Sequence, residues 1–215
     1  MRETKLIEQE YYHVYNRGVD KRKIFLNKKD LARFYTGMEI FNTVKRAGHL
    51  TRHHPISTEP KLVKVITYCI NPNHFHFILE QTSERGIERF MHRLSMGYAK
   101  YFNTKYKRSG ALFQGKFKAK HIDSDEYLLH LSAYVNLNNH VHDYDHTANT
   151  KSSWQEYILD VENSAICEKG IVLEQFKNKN TYKKFAMEVL KSVRKNKELA
   201  YELENFVSTP SDDKR

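Results

Sequence analysis

The stretch Leu62-Val63-Lys64-Val65-Ile66-Thr67-Tyr68-Cys69-Ile70-Asn71-Pro72-Asn73-His74-Phe75-His76-Phe77-Ile78-Leu79-Glu80 decides the fold. Two runs rich in β-branched and aromatic residues flank Asn71-Pro72-Asn73, a sharp turn signal, so Leu62 to Ile70 and His74 to Glu80 read as an antiparallel hairpin. Side chains alternate along a strand. His74 and His76 therefore share one face, while Phe75 and Phe77 point to the other.

Working outward, Tyr11-Tyr12-His13-Val14-Tyr15 reads as an earlier strand that ends at Arg17-Gly18. Between it and the hairpin, Leu31, Phe34, Tyr35, Met38, Phe41 and Val44 recur at three and four, which predicts a helix over Asp30 to Ala47 with Asn27 or Asp30 as its cap. Residues 48–60 are polar, contain Pro55 and Pro60, and read as a loop. After the hairpin, Ile87, Phe90, Met91, Leu94, Tyr98, Tyr101 and Phe102 stripe a second helix from Glu84 to Lys105. A last strand is expected within Leu112 to Ile122, then a third helix from Ser124 to Asn138 with Ser124 or Asp123 as cap. The order strand, helix, strand, strand, helix, strand predicts an α+β, ferredoxin-like (RRM-like) antiparallel sheet with packed helices. Residues 1–150 are expected to form this domain and 151–207 a helical C-terminal extension, in which Tyr182, Phe185, Ala186, Val189, Leu190 and Val193 mark an amphipathic helix. Residues 208–215 read as disordered.

The 215 residues suffice for one substantial core. Lys and Arg total 36 against 26 Asp and Glu, a formal charge of +10, which favours a polyanionic partner. Distribution sharpens this: between Glu84 and His121 there are ten basic residues and two acidic ones. Tyr98, Tyr101, Phe102, Tyr106, Phe113 and Phe117 are interleaved with them, and each is either core or a stacking surface for unpaired bases. Cys69 and Cys167 form no spaced pair, so neither a disulfide framework nor a cysteine metal site is expected. The first ten residues lack the apolar core of a signal peptide and no apolar run spans a bilayer, so a cytoplasmic, nucleoid-associated protein without membrane contact is expected.

Two neutral imidazoles on one strand face, His74 and His76, can share a divalent ion. His140 and His142 have the same spacing but follow a helix end, where no strand holds two rings in register, and they rank below the first pair. On the third helix His130, Tyr134 and Asn138 are spaced by four and line one face, which brings a phenol and an amide oxygen close together.

Taken in order, Tyr12-His13-Val14 with Asn16-Arg17-Gly18, Asn73-His74-Phe75-His76-Phe77, Gly110-Ala111-Leu112-Phe113-Gln114-Gly115-Lys116-Phe117, Tyr134-Val135-Asn136-Leu137-Asn138 and Ser152-Ser153-Trp154 resemble the single-tyrosine transposases of the IS200/IS605 type. The likeness covers roughly residues 10–160 and is strongest to the branch associated with repetitive extragenic palindromes. It implies that His74 and His76 are metal ligands, that Tyr134 is the catalytic tyrosine, and that Asn138 completes the site for Mg²⁺ or Mn²⁺, with no small-molecule cofactor. It further implies cleavage and rejoining of single-stranded DNA beside hairpins of palindromic repeats through a 5′-phosphotyrosine intermediate, by a monomer or homodimer. One departure stands out. The branch commonly continues Asn-Pro-Val-Arg-Ala, whereas here Asn138 is followed by Asn139-His140-Val141-His142.

Within that reading His130 is a candidate general base for Tyr134, and Arg17, Arg22, Lys105, Lys107, Arg108, Lys116, Lys118 and Lys120 are candidate contacts to the DNA backbone. Mn²⁺ is expected to serve at least as well as Mg²⁺, because imidazole is a softer donor than Mg²⁺ prefers. Two other readings compete: a non-catalytic single-stranded nucleic-acid-binding module on the same sheet, and a replication initiator or relaxase with the same histidine pair.

Overall fold

A computed structural model describes residues 5–45, 60–144, 147, 149–159 and 166–196. Strand β1 (Tyr11–Arg17), helix α1 (Lys28–Ile40), strands β2 (Val63–Asn71) and β3 (His74–Gln81), helix α2 (Gly86–Lys105) and strand β4 (Lys118–Ile122) follow in the expected order. Helices α3 (Asp125–Asn136) and α4 (Asn138–Val141), strand β5 (Lys151–Ser152), and helices α5 (Trp154–Ile158), α6 (Gly170–Leu173) and α7 (Lys179–Lys195) complete the described chain. The strands pair antiparallel in the order β4-β1-β3-β2-β5. The first four give the ferredoxin-like arrangement that the sequence predicts, and β5 extends its edge.

Strand alternation divides the apolar residues into two cores. Tyr12, Val14, Phe75, Phe77 and Leu79 pack under α1 and α2 with Phe34, Met38, Phe90 and Leu94. On the opposite face Cys69, Ile78 and Ile122 pack under α3 and α7 with Leu131, Tyr134, Tyr182 and Val189. The histidine pair belongs to this second face. Chain beyond residue 150 is woven into it: Ser153 Oγ accepts from Tyr68 N and donates to Asn136 Oδ1, and Asn136 Nδ2 donates to the Tyr182 hydroxyl. The Ser152-Ser153-Trp154 element thus ties β2, α3 and α7 together.

Helix ends depart from the periodicity for identifiable reasons. Asn27 caps α1, accepting from Lys29 N and Asp30 N, but the helix stops at Ile40 instead of Ala47. Just beyond it, the Asn42 side chain bonds Leu62 N, Val63 N and Val63 O, which draws the chain onto β2. Residues 112–117 form a loop in place of the first half of the expected strand, since Gly115 adopts φ 68°, a left-handed conformation that a ladder cannot hold. Ser124 caps α3 through Tyr127 N, and α3 ends at Asn136, so Asn138 starts a separate short helix. The expected loop over residues 48–60 falls almost wholly outside the described residues, as does the segment 208–215.

Asp30 shows how one basic candidate is committed to structure. Its fully buried carboxylate accepts from Leu26 N, the Tyr101 and Tyr106 hydroxyls, and Lys105 Nζ. Burial alone favours its protonated form, yet these donors outweigh it and hold the carboxyl below its ordinary range. Asp30→Ala is expected to lower stability by about 3 kcal/mol, because it removes one partner of a buried ion pair together with three further hydrogen bonds. Urea unfolding at neutral pH checks this.

Candidate active site

The β2–β3 turn sets the site. Gly18 lets the chain double back after β1, for a Cβ there would lie 2.3 Å from Arg22 O. The returning segment then grips the turn, with Gly18 N bonded to Asn73 O and both Ile24 N and Phe25 N to Pro72 O. Asn73 Nδ2 donates to Lys21 O, which leaves Asn73 Oδ1 facing His74 Nδ1 at 2.7 Å. A neutral His74 therefore carries its proton on Nδ1 and presents a lone pair at Nε2.

That lone pair faces a second one. Asn138 is fully buried, and its Oδ1 lies 3.0 Å from His74 Nε2. Two acceptors at this distance repel unless a positive group lies between them. The amide Nδ2 of buried Asn71 occupies that role, 3.0 Å from His74 Nε2 and 2.6 Å from Asn138 Oδ1. Asn138 Nδ2 is buried without a hydrogen-bond partner among the described residues, so this amide is oriented for its oxygen. Such a convergence of electron pairs fits a divalent cation. Among the described residues no three His, Cys, Asp or Glu side chains form a metal-holding group; beside the histidine pair the remaining donors are amides.

His76 stands across from His74, ring centroids 5.2 Å apart and planes at 88°. Its Nδ1 lies 2.9 Å from Nε2 of His13 on β1, a buried residue. Burial, with Lys120 nearby, pulls the His13 imidazole down to about 3, and burial followed by the neighbouring His13, His74 and His142 depresses His76 as well. Both rings are thus neutral at pH 7. His13 fixes the His76 tautomer in the way that outer hydrogen bonds orient metal-binding imidazoles. His13→Gln is expected to weaken Mn²⁺ binding about tenfold, as read by titration. In the unfolded chain His13 titrates near 6.5, above its folded value, so the unfolded state binds the proton first. The contribution of His13 to the stability of the metal-free protein is therefore full above pH 6.5 and declines as pH falls from 6.5 toward 3, which urea midpoints of the parent against His13→Gln across that range will show.

The ring of Tyr134 meets His76 edge-on at 6.0 Å, and the residue is 1% exposed. His130 lies elsewhere: exposed, its ring packs 5.0 Å from Phe185 of α7, and it does not line the cleft. His130 lies one turn nearer the start of α3 than Tyr134, where its ring packs against Phe185 of α7 and not against the histidine pair. Conversely, His142, ranked low from sequence, packs 5.0 Å from the His74 ring and beside Tyr144. The short α4 turns it inward.

A cleft of about 450 Å³ opens over His74 and His76, walled by Tyr15, Arg17, Lys21, Gln114, Lys118 and His142. Arg17 bonds Gln114 through side chain and backbone, so the 110–117 motif forms a wall of this cleft. Arg17 and Lys118 are thus the basic candidates at the histidines, and Lys21, which the charge count left out, joins them. Lys116 borders a neighbouring groove of about 1310 Å³ along α2. Arg22 and Lys107 are exposed, and Lys120 sits 4.4 Å over the Tyr127 ring. Lys105 is bound to Asp30, and Arg108 donates to Asn103 Oδ1 and Ala111 O, so both are occupied within the fold.

The ferredoxin-like sheet thus carries a histidine pair on one face under a basic cleft, with an amide cradle beside His74 and a buried tyrosine against His76. Residues 7–138 match the profile of a family described as "Transposase IS200 like", and the chain belongs to that family. Among solved structures, it is similar to a REP-associated tyrosine transposase bound to a REP hairpin, with a TM-score of 0.51 at 13% identity, covering 74% of this chain and 84% of that one. At that identity the likeness establishes the fold. No curated protein sequence matches the chain. No described helix is long and apolar enough to cross a membrane.

Proposed function

We propose that this transposase cleaves and rejoins single-stranded DNA beside hairpins of palindromic repeats, in a reaction that needs a divalent cation and passes through a 5′-phosphotyrosine on Tyr134. The observation that carries the reading is the facing pair of acceptors, His74 Nε2 and Asn138 Oδ1, 3.0 Å apart beside His76 and beneath a basic cleft. His74, His76 and Asn138 would hold Mg²⁺ or Mn²⁺, which when bound neutralises charge on the scissile phosphate.

The chain's own groups do the rest. Arg17, Lys21 and Lys118 attract and orient the phosphate backbone, and His13 and Asn73 keep the ligating nitrogens unprotonated. The Tyr134 hydroxyl loses its proton as its oxygen attacks phosphorus, the bond from phosphorus to the 3′-oxygen breaks, and the departing oxygen takes up a proton to become a 3′-hydroxyl, so no net proton is gained or lost. Attack by the 3′-hydroxyl of another strand reverses these bonds, frees Tyr134 and joins DNA without a nucleotide triphosphate. Since Tyr134 is almost wholly buried, DNA entry must displace the side chains that cover it. The REP hairpin in the similar structure fits the expected substrate class.

The test is incubation of the full chain and Mn²⁺ with a hairpin oligonucleotide carrying single-stranded flanks, beside the same flanks in duplex form. Cleavage confined to the single-stranded flank, with protein linked to the 5′ end of the downstream fragment, is expected. Tight binding without any cut would establish the non-catalytic reading instead.

A further inference from the structure

The buried amide of Asn71 stands where sequence reading saw only turn punctuation. It is the last residue of β2, paired in register with His74, and is fully buried. Its Nδ2 spends both hydrogens on the site, one toward His74 Nε2 at 3.0 Å and one toward Asn138 Oδ1 at 2.6 Å. The three atoms form a triangle with edges of 2.6 to 3.0 Å. Donors on one face of an octahedral ion bound at 2.0–2.1 Å are separated by about 3 Å, so this triangle has the size of a coordination face. One corner, the amide nitrogen, has the wrong polarity for a ligand.

An amide exchanges nitrogen for oxygen by rotating half a turn, and the surroundings of Asn71 accept either orientation. Its Oδ1 now takes hydrogen bonds from Thr150 Oγ1 at 3.0 Å and Cys69 Sγ at 3.6 Å. Thr150 Oγ1 is also within 3.0 Å of Ile70 O. After rotation the hydroxyl donates to Ile70 O and accepts from Asn71 Nδ2, and the sulfur is a weak acceptor too. No buried polar atom on that side loses its partner. Resting on the reading of His74, His76 and Asn138 as metal ligands, we propose that Asn71 is a further ligand. Without the ion its amide N–H groups hold the cradle together in the ion's place, and with the ion it turns to present Oδ1.

The test uses the full chain and Mn²⁺ alone, following free Mn²⁺ by its electron paramagnetic resonance signal and unfolding by heat. Asn71→Leu is expected to weaken Mn²⁺ binding about tenfold or more, on the scale of lost metal-site partners. Asn71→Asp supplies an oxygen but no hydrogen. It is expected to bind Mn²⁺ at least as tightly as the parent, to melt earlier without metal because the carboxylate faces two acceptors, and to show a larger rise in Tm when Mn²⁺ is added. A purely structural asparagine predicts lower Tm in both variants with Mn²⁺ affinity unchanged, and that result overturns the proposal, as does an Asp variant that binds as weakly as the Leu variant. If Asn71→Leu does not fold, the Asp variant alone decides. Should His76→Ala bind Mn²⁺ as tightly as the parent, the histidine site itself is wrong, an outcome separate from the failure of Asn71.

Discussion

Tyr134→Phe is expected to fold, to bind the hairpin oligonucleotide as the parent does, and to form no covalent adduct. The substitution removes one oxygen from a ring packed with Cys69, Ile78 and Leu131, so its stability cost should stay near 1 kcal/mol. Its effect on cleavage is of another order, a fall of at least about 10³-fold, since the attacking oxygen is lost; Tyr15, whose ring stacks 5.5 Å from that of His76, is the competing phenol that this variant excludes. Denaturing gels with labelled oligonucleotide read the adduct, and filter binding reads the retained affinity. An adduct that persists in the variant would place the nucleophile elsewhere.

Loss of His76 should be as severe for a different reason. His76→Ala is expected to lower Mn²⁺ affinity by about a hundredfold or more and to abolish cleavage, while binding of the hairpin through Arg17, Lys21 and Lys118 persists. The alanine also strands His13 Nε2, whose partner is His76 Nδ1, at a cost of about 1–3 kcal/mol. His76→Gln, which keeps a polar group opposite His13, separates the two effects. Its melting temperature should stay closer to that of the parent, yet it should still fail to cleave. Calorimetric titration and the gel assay together distinguish loss of metal from loss of fold.

Much of the architecture was legible because it depends on local periodicity. Alternation across Asn71-Pro72-Asn73 placed His74 and His76 on one face, and the order of elements gave the sheet. What periodicity cannot see is the neighbour across a strand. His13 was visible only as part of a motif, and its role appears when β1 pairs with β3 and brings its ring against His76. Charge counting has the same limit at Lys105, because it does not register that Asp30 on α1 pairs with the ammonium. His142 looked like part of a polar loop until the break at Leu137 restarted the chain as α4 and turned the ring onto His74. Asn71 and Asn138 illustrate the same limit, for an asparagine in a turn and one at a helix end are ordinary in sequence, and only their mutual 2.6 Å contact marks them as parts of one site.

The departure after Asn138 now has physical content. Asn138 is followed by Asn139-His140-Val141-His142, which forms the helical turn α4, and His142 just after it lines one side of the cleft with Tyr144. The 110–117 motif closes another through Gln114 and Arg17. Motifs that are separate in sequence therefore resolve into supports for the histidine pair, cleft walls and, in the case of Ser153 and Asn136, ties between layers.

The central claim is a covalent bond between Tyr134 and the 5′-phosphate of cleaved DNA, and mass spectrometry of the trapped adduct tests it most directly. After reaction with Mn²⁺ and the hairpin oligonucleotide, nuclease and protease digestion should leave the peptide containing Tyr134 heavier by a nucleotide phosphate, with fragmentation placing the added mass on the tyrosine. Efficient cleavage with that peptide unmodified, or with the nucleotide on another residue, would contradict the account.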